Sequence, residues 1–178
     1  GKNKTLLSSP EAGDYYEALG RAMVLWGRFE NHFSNCIMLI RTTPEGRAIE
    51  LGHPISWKKR AAFWRKAFNT LPALAKWKDH ALKLISDAMS VAQERHIITH
   101  GDWGEFISND PPTVQVKMWR HKQDDLLIQT YAVTIDDLND IAAKADGLNT
   151  RLVAYMWNLA QLQPALRKKS AKAQKPKT

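Results

Sequence analysis

The chain has 178 residues, 44% of them hydrophobic, with seven tryptophans and a net charge of +8. That is enough apolar material for a packed core without staples, and it excludes an intrinsically disordered protein. A lone cysteine, Cys36, excludes a disulfide framework within one chain, and no apolar run approaches the ~20 residues of a membrane helix. The opening "GKNKTLLSSPEAG" also lacks the apolar segment of a signal peptide, so the expected setting is cytoplasmic, away from membranes.

The first predicted helix runs from Asp14 to Arg41, with Leu19, Ala22, Trp26, Phe29, Phe33, Cys36 and Ile40 at three- and four-residue spacing. "SSPE" starts it and "TTPEG" ends it. After a loop through "LGHP", Ser56 caps a second helix whose Trp57, Ala61, Trp64 and Phe68 share a face. Residues 57–83 carry eight basic side chains and one acid, so the rest of this helix is a basic face. The third helix begins after Pro72 and carries two apolar stripes: Leu82, Ile85, Met89 and Ala92, and Leu84, Ala88 and Val91. Both faces need cover, from neighbouring helices or from a second copy of the chain, so a homodimer through this helix is expected.

"GDWGEFISNDPP" then reads as a loop, and "TVQVKMW" and "LLIQTYAV" flank the polar "RHKQDD" as a β-hairpin. The last helix opens at Thr134, with Asp137 three residues on as a capping-box variant, and keeps its spacing through Leu138, Ile141, Ala145, Leu148, Leu152, Tyr155, Leu159 and Leu162. Residues 164–178 hold six basic side chains and no acid, with no large apolar residue after Leu166, and read as a disordered basic tail able to hold phosphates without sequence preference. The expected fold is mainly all-α, a four- to five-helix up-down bundle over residues 1–163 with a small β-hairpin inserted before the last long helix.

The two stripes of the third helix run into polar residues. Leu84, Ala88 and Val91 extend to Arg95 and Ile98, while Leu82, Ile85, Met89 and Ala92 extend to His96 and Thr99. A covered arginine is costly unless paired, which marks the stretch "ERHIITHGDW" as a candidate site. At about 100° per residue, His96 and His100 fall roughly 40° apart and Arg95 and His100 roughly 140° apart. Bringing Arg95 and His100 to one cleft therefore asks for unwinding at Gly101 or for a second protomer. The same arginine-to-histidine spacing recurs at Arg47 and His53 in a loop context, so the weight falls on the end of a covered helix rather than on the spacing.

"RHIITHG", late in a long helix of a small helical domain, is similar to the signature of the HEPN superfamily: an arginine, a polar residue, an aliphatic spacer, a histidine and a glycine. The resemblance covers residues 15–162 as architecture, through "LWGRFENHF", the Ser-capped basic helix, the hairpin and "TIDDLNDIAAKADGL", but only Arg95, His96 and His100 as a functional motif. It implies a bacterial, metal-independent ribonuclease or RNA-binding protein without a cofactor, acting as a homodimer. A ribose 2′-hydroxyl would attack the adjacent phosphodiester and leave a 2′,3′-cyclic phosphate, with His100 moving the proton, Arg95 holding the non-bridging oxygens and His96 orienting phosphate or arginine. Defence, stress response and toxin–antitoxin pairing belong to the same implication, with an antitoxin or other protein as partner.

Around this motif, Glu30 in the first helix is a candidate ion-pair partner for Arg95. Lys58, Lys59, Arg65 and Lys66 could follow an RNA backbone, and Trp57 or Trp103 could stack a base. Three other readings stand beside the nuclease. In a non-catalytic dimerisation or scaffold module with a basic tail, Gly101 would be a left-handed helix cap and His100 would only complement the helix dipole. A metal site on His96 and His100 would need Asp102 as a third ligand. A DNA-binding regulator is disfavoured, since no helix-turn-helix pattern appears and the basic residues are split between distant segments.

Overall fold

Thr134 and Asp137 close a reciprocal cap in which the Asp137 carboxylate accepts from the Thr134 backbone N–H at 2.8 Å and the Asp137 N–H donates to the Thr134 hydroxyl at 3.1 Å. Such local chemistry, with the apolar stripes, sets the elements of the computed structural model. It describes residues 9–122 and 125–173, and the side chains within them except those of residues 121, 122, 125 and 162–173. In order these are α1 (Ala12–Arg41), α2 (Pro44–Ile49), α3 (Trp57–Thr70), a 3₁₀ segment (Pro72–Trp77), α4 (Lys78–His100), β1 (Asp102–Asn109), β2 (Pro112–Lys122), β3 (Asp125–Val133) and α5 (Ile135–Ala173). The protein is mainly helical, and none of its described helices is long and apolar enough to cross a membrane.

The small β element is larger than the expected hairpin. It is a three-stranded antiparallel sheet in the order β1-β2-β3, and β1 occupies the stretch read as a loop. Register shifts between Trp103 and Phe106 and between Phe106 and Ser108 break the period of two by which a strand shows itself in sequence. At the other end of the chain the α5 backbone stays helical to Ala173, past the boundary expected at residue 164. Lys, Arg, Ala and Gln are good helix formers, so a stretch without apolar anchors can extend a helix already nucleated by its stripe. The remainder of the expected tail, residues 174–178, lies outside the described residues.

The chain divides into two compact units, 1–27 with 89–146 and 28–88 with 147–178. Each unit therefore takes one stretch from α1, one from α4 and one from α5. In the first, the buried hydrophobic residues are Tyr15, Ala18, Ala22 and Trp26 of α1, Val91 and Ile98 of α4, Val114, Val116 and Met118 of β2, Val133 of β3, and Leu138, Ile141, Ala142 and Ala145 of α5. Tyr15 fastens α1 to the sheet: its hydroxyl donates to the carbonyls of Pro112 at 2.7 Å and Val133 at 3.1 Å, and its ring meets Phe106 edge-on at 5.7 Å. Burial, reinforced by the charge of Asp137, pushes this phenol up to about 12.

The second unit is built on aromatic rings. Phe33 lies 5.1 Å from Trp64, Trp64 lies 4.5 Å from Phe68, and Tyr155 of α5 stands edge-on to Trp64 at 5.6 Å. The buried Trp64 indole donates to the Ala81 carbonyl at 2.9 Å, which satisfies the polar atom of a fully covered ring. Cys36 is fully buried here, and burial pushes its thiol up to about 12. Ser56 caps α3 as expected, accepting from the Lys59 N–H.

Candidate functional site at the end of α4

Along α4 the expected stripes separate. Leu84, Ala88, Val91 and Ile98 are buried, and Arg95, on the same line, is half-buried. On the other line Ile85 is buried, but Leu82, Met89 and Ala92 are half-buried and His96 and Thr99 are exposed. The helix is thus covered along one face except at Arg95, and the cover thins along the other toward the motif.

Arg95 enters its position with the buried stripe, and its Nε is buried without a hydrogen-bond partner. Among the described residues the ion pairs of this unit join Arg21 to Glu17 and Lys144 to Glu94 and Asp140, and none involves Arg95. The expected partner, Glu30, instead holds Arg60 of α3 at 3.0 Å, and Arg60 also donates to Ser34 at 2.6 Å. Arg60 is half-buried, apart from the exposed basic face of α3, and its guanidinium takes up the Glu30 carboxylate. A pairing between helices could not be read from spacing along either one.

Next to Arg95 on α4, His96 and His100 lie with ring centroids 4.7 Å apart and planes inclined by 52°. The four-residue spacing makes this contact, as the helical geometry requires. The His96 imidazole is held below its ordinary 6.5, first by partial burial and then by the positive charges of His100, Arg120 and Arg95. It is therefore neutral near pH 7, able to accept a proton or a hydrogen bond. Arg120 was not among the residues singled out from the sequence, since it begins the stretch read as a turn. It belongs to β2, and the buried alternation Val114, Val116, Met118 continues onto it.

The junction between α4 and the sheet is tightly made. The Gly101 N–H donates to the Ile97 carbonyl at 2.9 Å, and a side chain at Gly101 would place its Cβ 2.2 Å from Cγ1 of Val116. No glycine among the described residues has a positive φ, so Gly101 is not the left-handed cap that the non-catalytic reading asks of it. It is glycine because β2 approaches too closely for any Cβ. Trp103, expected as a base-stacking ring, is used internally. Its indole donates to the Ile98 carbonyl at 3.0 Å and its ring stands 6.3 Å from Tyr15. Trp57 likewise packs on Phe29 and Phe33, at 6.0 and 5.3 Å.

Lys58, Lys59, Arg65 and Lys66 of α3 are exposed, as a basic face requires, and belong to the second unit. Lys66 reaches the Ile49 carbonyl at 3.2 Å. Among the described residues no three His, Cys, Asp or Glu side chains gather as a metal would require, so His96 and His100 lack the third ligand that Asp102 was to supply. No protein-family model, curated protein or solved structure matches the chain.

Proposed function

We propose that this chain is an HEPN-like, metal-independent endoribonuclease or RNA-binding protein that works as a homodimer. The observation that carries the reading is a half-buried arginine, Arg95, with its Nε buried and unpartnered, beside a contacting pair of histidines. A covered guanidinium without a carboxylate costs stability, and a phosphate would supply the missing charge and acceptors. On this reading Arg95 holds the non-bridging oxygens of the scissile phosphate and stabilises the charge that builds in the transition state. His100 takes or gives the proton of the 2′-hydroxyl and the leaving oxygen. His96, neutral near pH 7, accepts a hydrogen bond from the attacking hydroxyl or orients the phosphate. Two protomers would supply one base and one acid, which makes the dimer and the up-down bundle arrangement part of the same proposal.

The test is incubation of the protein with mixed RNA in EDTA, with His100→Ala and Arg95→Ala alongside and light scattering at micromolar concentration. Cleavage to 2′,3′-cyclic ends, lost in both variants, is expected together with a dimeric mass. Absent cleavage, or cleavage indifferent to both substitutions, rejects the catalytic reading. The non-catalytic dimerisation module then takes its place, favoured by the internal use of Trp103.

A further inference from the structure

We infer that Arg120, from strand β2, is a further phosphate-holding residue of the α4 site, completing an oxyanion pocket with Arg95, His96 and His100. This rests on the proposed function for its substrate, but the pocket itself can be measured with an anion alone. Three independent features place the residue. Strand β2 turns Val114, Val116 and Met118 inward, and the next position of that parity is Arg120. The inward face of this strand meets the end of α4, since Val116 is the side chain against Gly101. Beyond Met118 the cover ends, and Arg120 is exposed, with its paired neighbour Leu127 45% exposed.

Four cationic or protonatable groups therefore converge from two elements, and among the described residues none of the four is ion-paired to a carboxylate. Like charges that meet without counter-ions repel, so their gathering is costly unless an anion joins them. The charge of Arg120 already acts on His96, in the same sense as those of Arg95 and His100. The C-terminal end of α4 softens the repulsion through its dipole but supplies no anion of its own. A phosphate monoester or diester fits best: Arg95 and Arg120 offer planar forks of donors, and each imidazole offers a ring N–H. Arg95 is set by the packing of α4, while Arg120 sits on an open strand end. In this arrangement Arg95 fixes where the phosphate lies and Arg120 closes over it.

The test uses the full chain and inorganic phosphate as the probe. Imidazole resonances of His96 and His100 are followed by NMR through a phosphate titration, in wild type, Arg120→Gln, Arg120→Lys and Lys83→Gln. Lys83 is an exposed lysine of α4 in the other unit, and its variant removes the same charge away from the site. Phosphate should shift both histidines in wild type and in Lys83→Gln. Arg120→Gln should weaken binding roughly tenfold, with part of the affinity restored by Arg120→Lys. RNA cleavage should fall in the same order. No phosphate-induced shift in wild type, or equal affinity in Arg120→Gln and Lys83→Gln, overturns the inference. Phosphate binding that depends on Arg120 in a protein that leaves RNA intact keeps the pocket and rejects the ribonuclease reading. Cleavage that survives in Arg120→Gln at the rate of Lys83→Gln keeps the ribonuclease and rejects the role of Arg120.

Discussion

Arg95 is the residue at which stability and function pull apart most sharply. Its aliphatic stem continues the line of Val91 and Ile98, so the position is built for an apolar side chain, yet the stem leads to a buried Nε with nothing to donate to. Met has similar length and no polar hydrogen. Arg95→Met should therefore leave the protein as stable as wild type or raise its stability by about 1 kcal/mol, while abolishing RNA cleavage and phosphate binding. Thermal unfolding and the cleavage assay, run on the same preparation, separate the two effects. A large fall in melting temperature would mean that Arg95 is a structural brace and that its missing partner is not a substrate. The sequence exposed this residue because a cation interrupted an apolar line. It could not expose Arg120, because "RHKQDD" is polar throughout and nothing in it marks where the strand stops.

Among elements, the long helices were legible and the first strand was not. The stripe through Ala22, Trp26, Phe29, Phe33, Cys36 and Ile40 is buried, with Leu19 at its start half-buried, and the Thr134–Asp137 cap formed as its residue types require. Helical burial is periodic over many turns, so a few misleading residues do not hide it. β1 has only eight residues, with two register irregularities and an inner glycine, Gly104, so its alternation never accumulates. Short α2 escaped for a similar reason: six residues give no stripe, and only Thr43, accepting from the Gly46 N–H, marks its start. The α4–β2 junction makes a prediction at this scale. Gly101→Ala should cost about 1–3 kcal/mol by overpacking, and Val116→Ala in the same chain should recover part of that loss by removing the methyl that clashes. Additive losses in the double variant, measured by denaturant unfolding, would count against close approach as the reason for glycine.

At the scale of the whole molecule, periodicity tells which face of a helix is covered but not what covers it. The line Leu138, Ile141, Ala145, Leu148, Leu152, Tyr155 and Leu159 is buried without interruption, yet it serves the first unit up to Asp146 and the second from Gly147. The division into two units was for that reason invisible along the chain, and so was the membership of the basic face of α3 and of Arg95 in different units. Folding of either unit must wait for segments far apart in sequence, since each draws on α1, α4 and α5. Cys36 turns this into something that can be timed. It is the chain's one thiol, fully buried in the second unit, and held far from its reactive thiolate at neutral pH. A thiol reagent should leave the native protein unlabelled over the time in which it modifies the denatured chain completely, and the rate of slow labelling in mild denaturant should follow unfolding. Rapid labelling in native buffer would contradict the burial of Cys36. The only sulfhydryl thus serves as a clock for the opening of one half of the protein, already in place without any engineered probe.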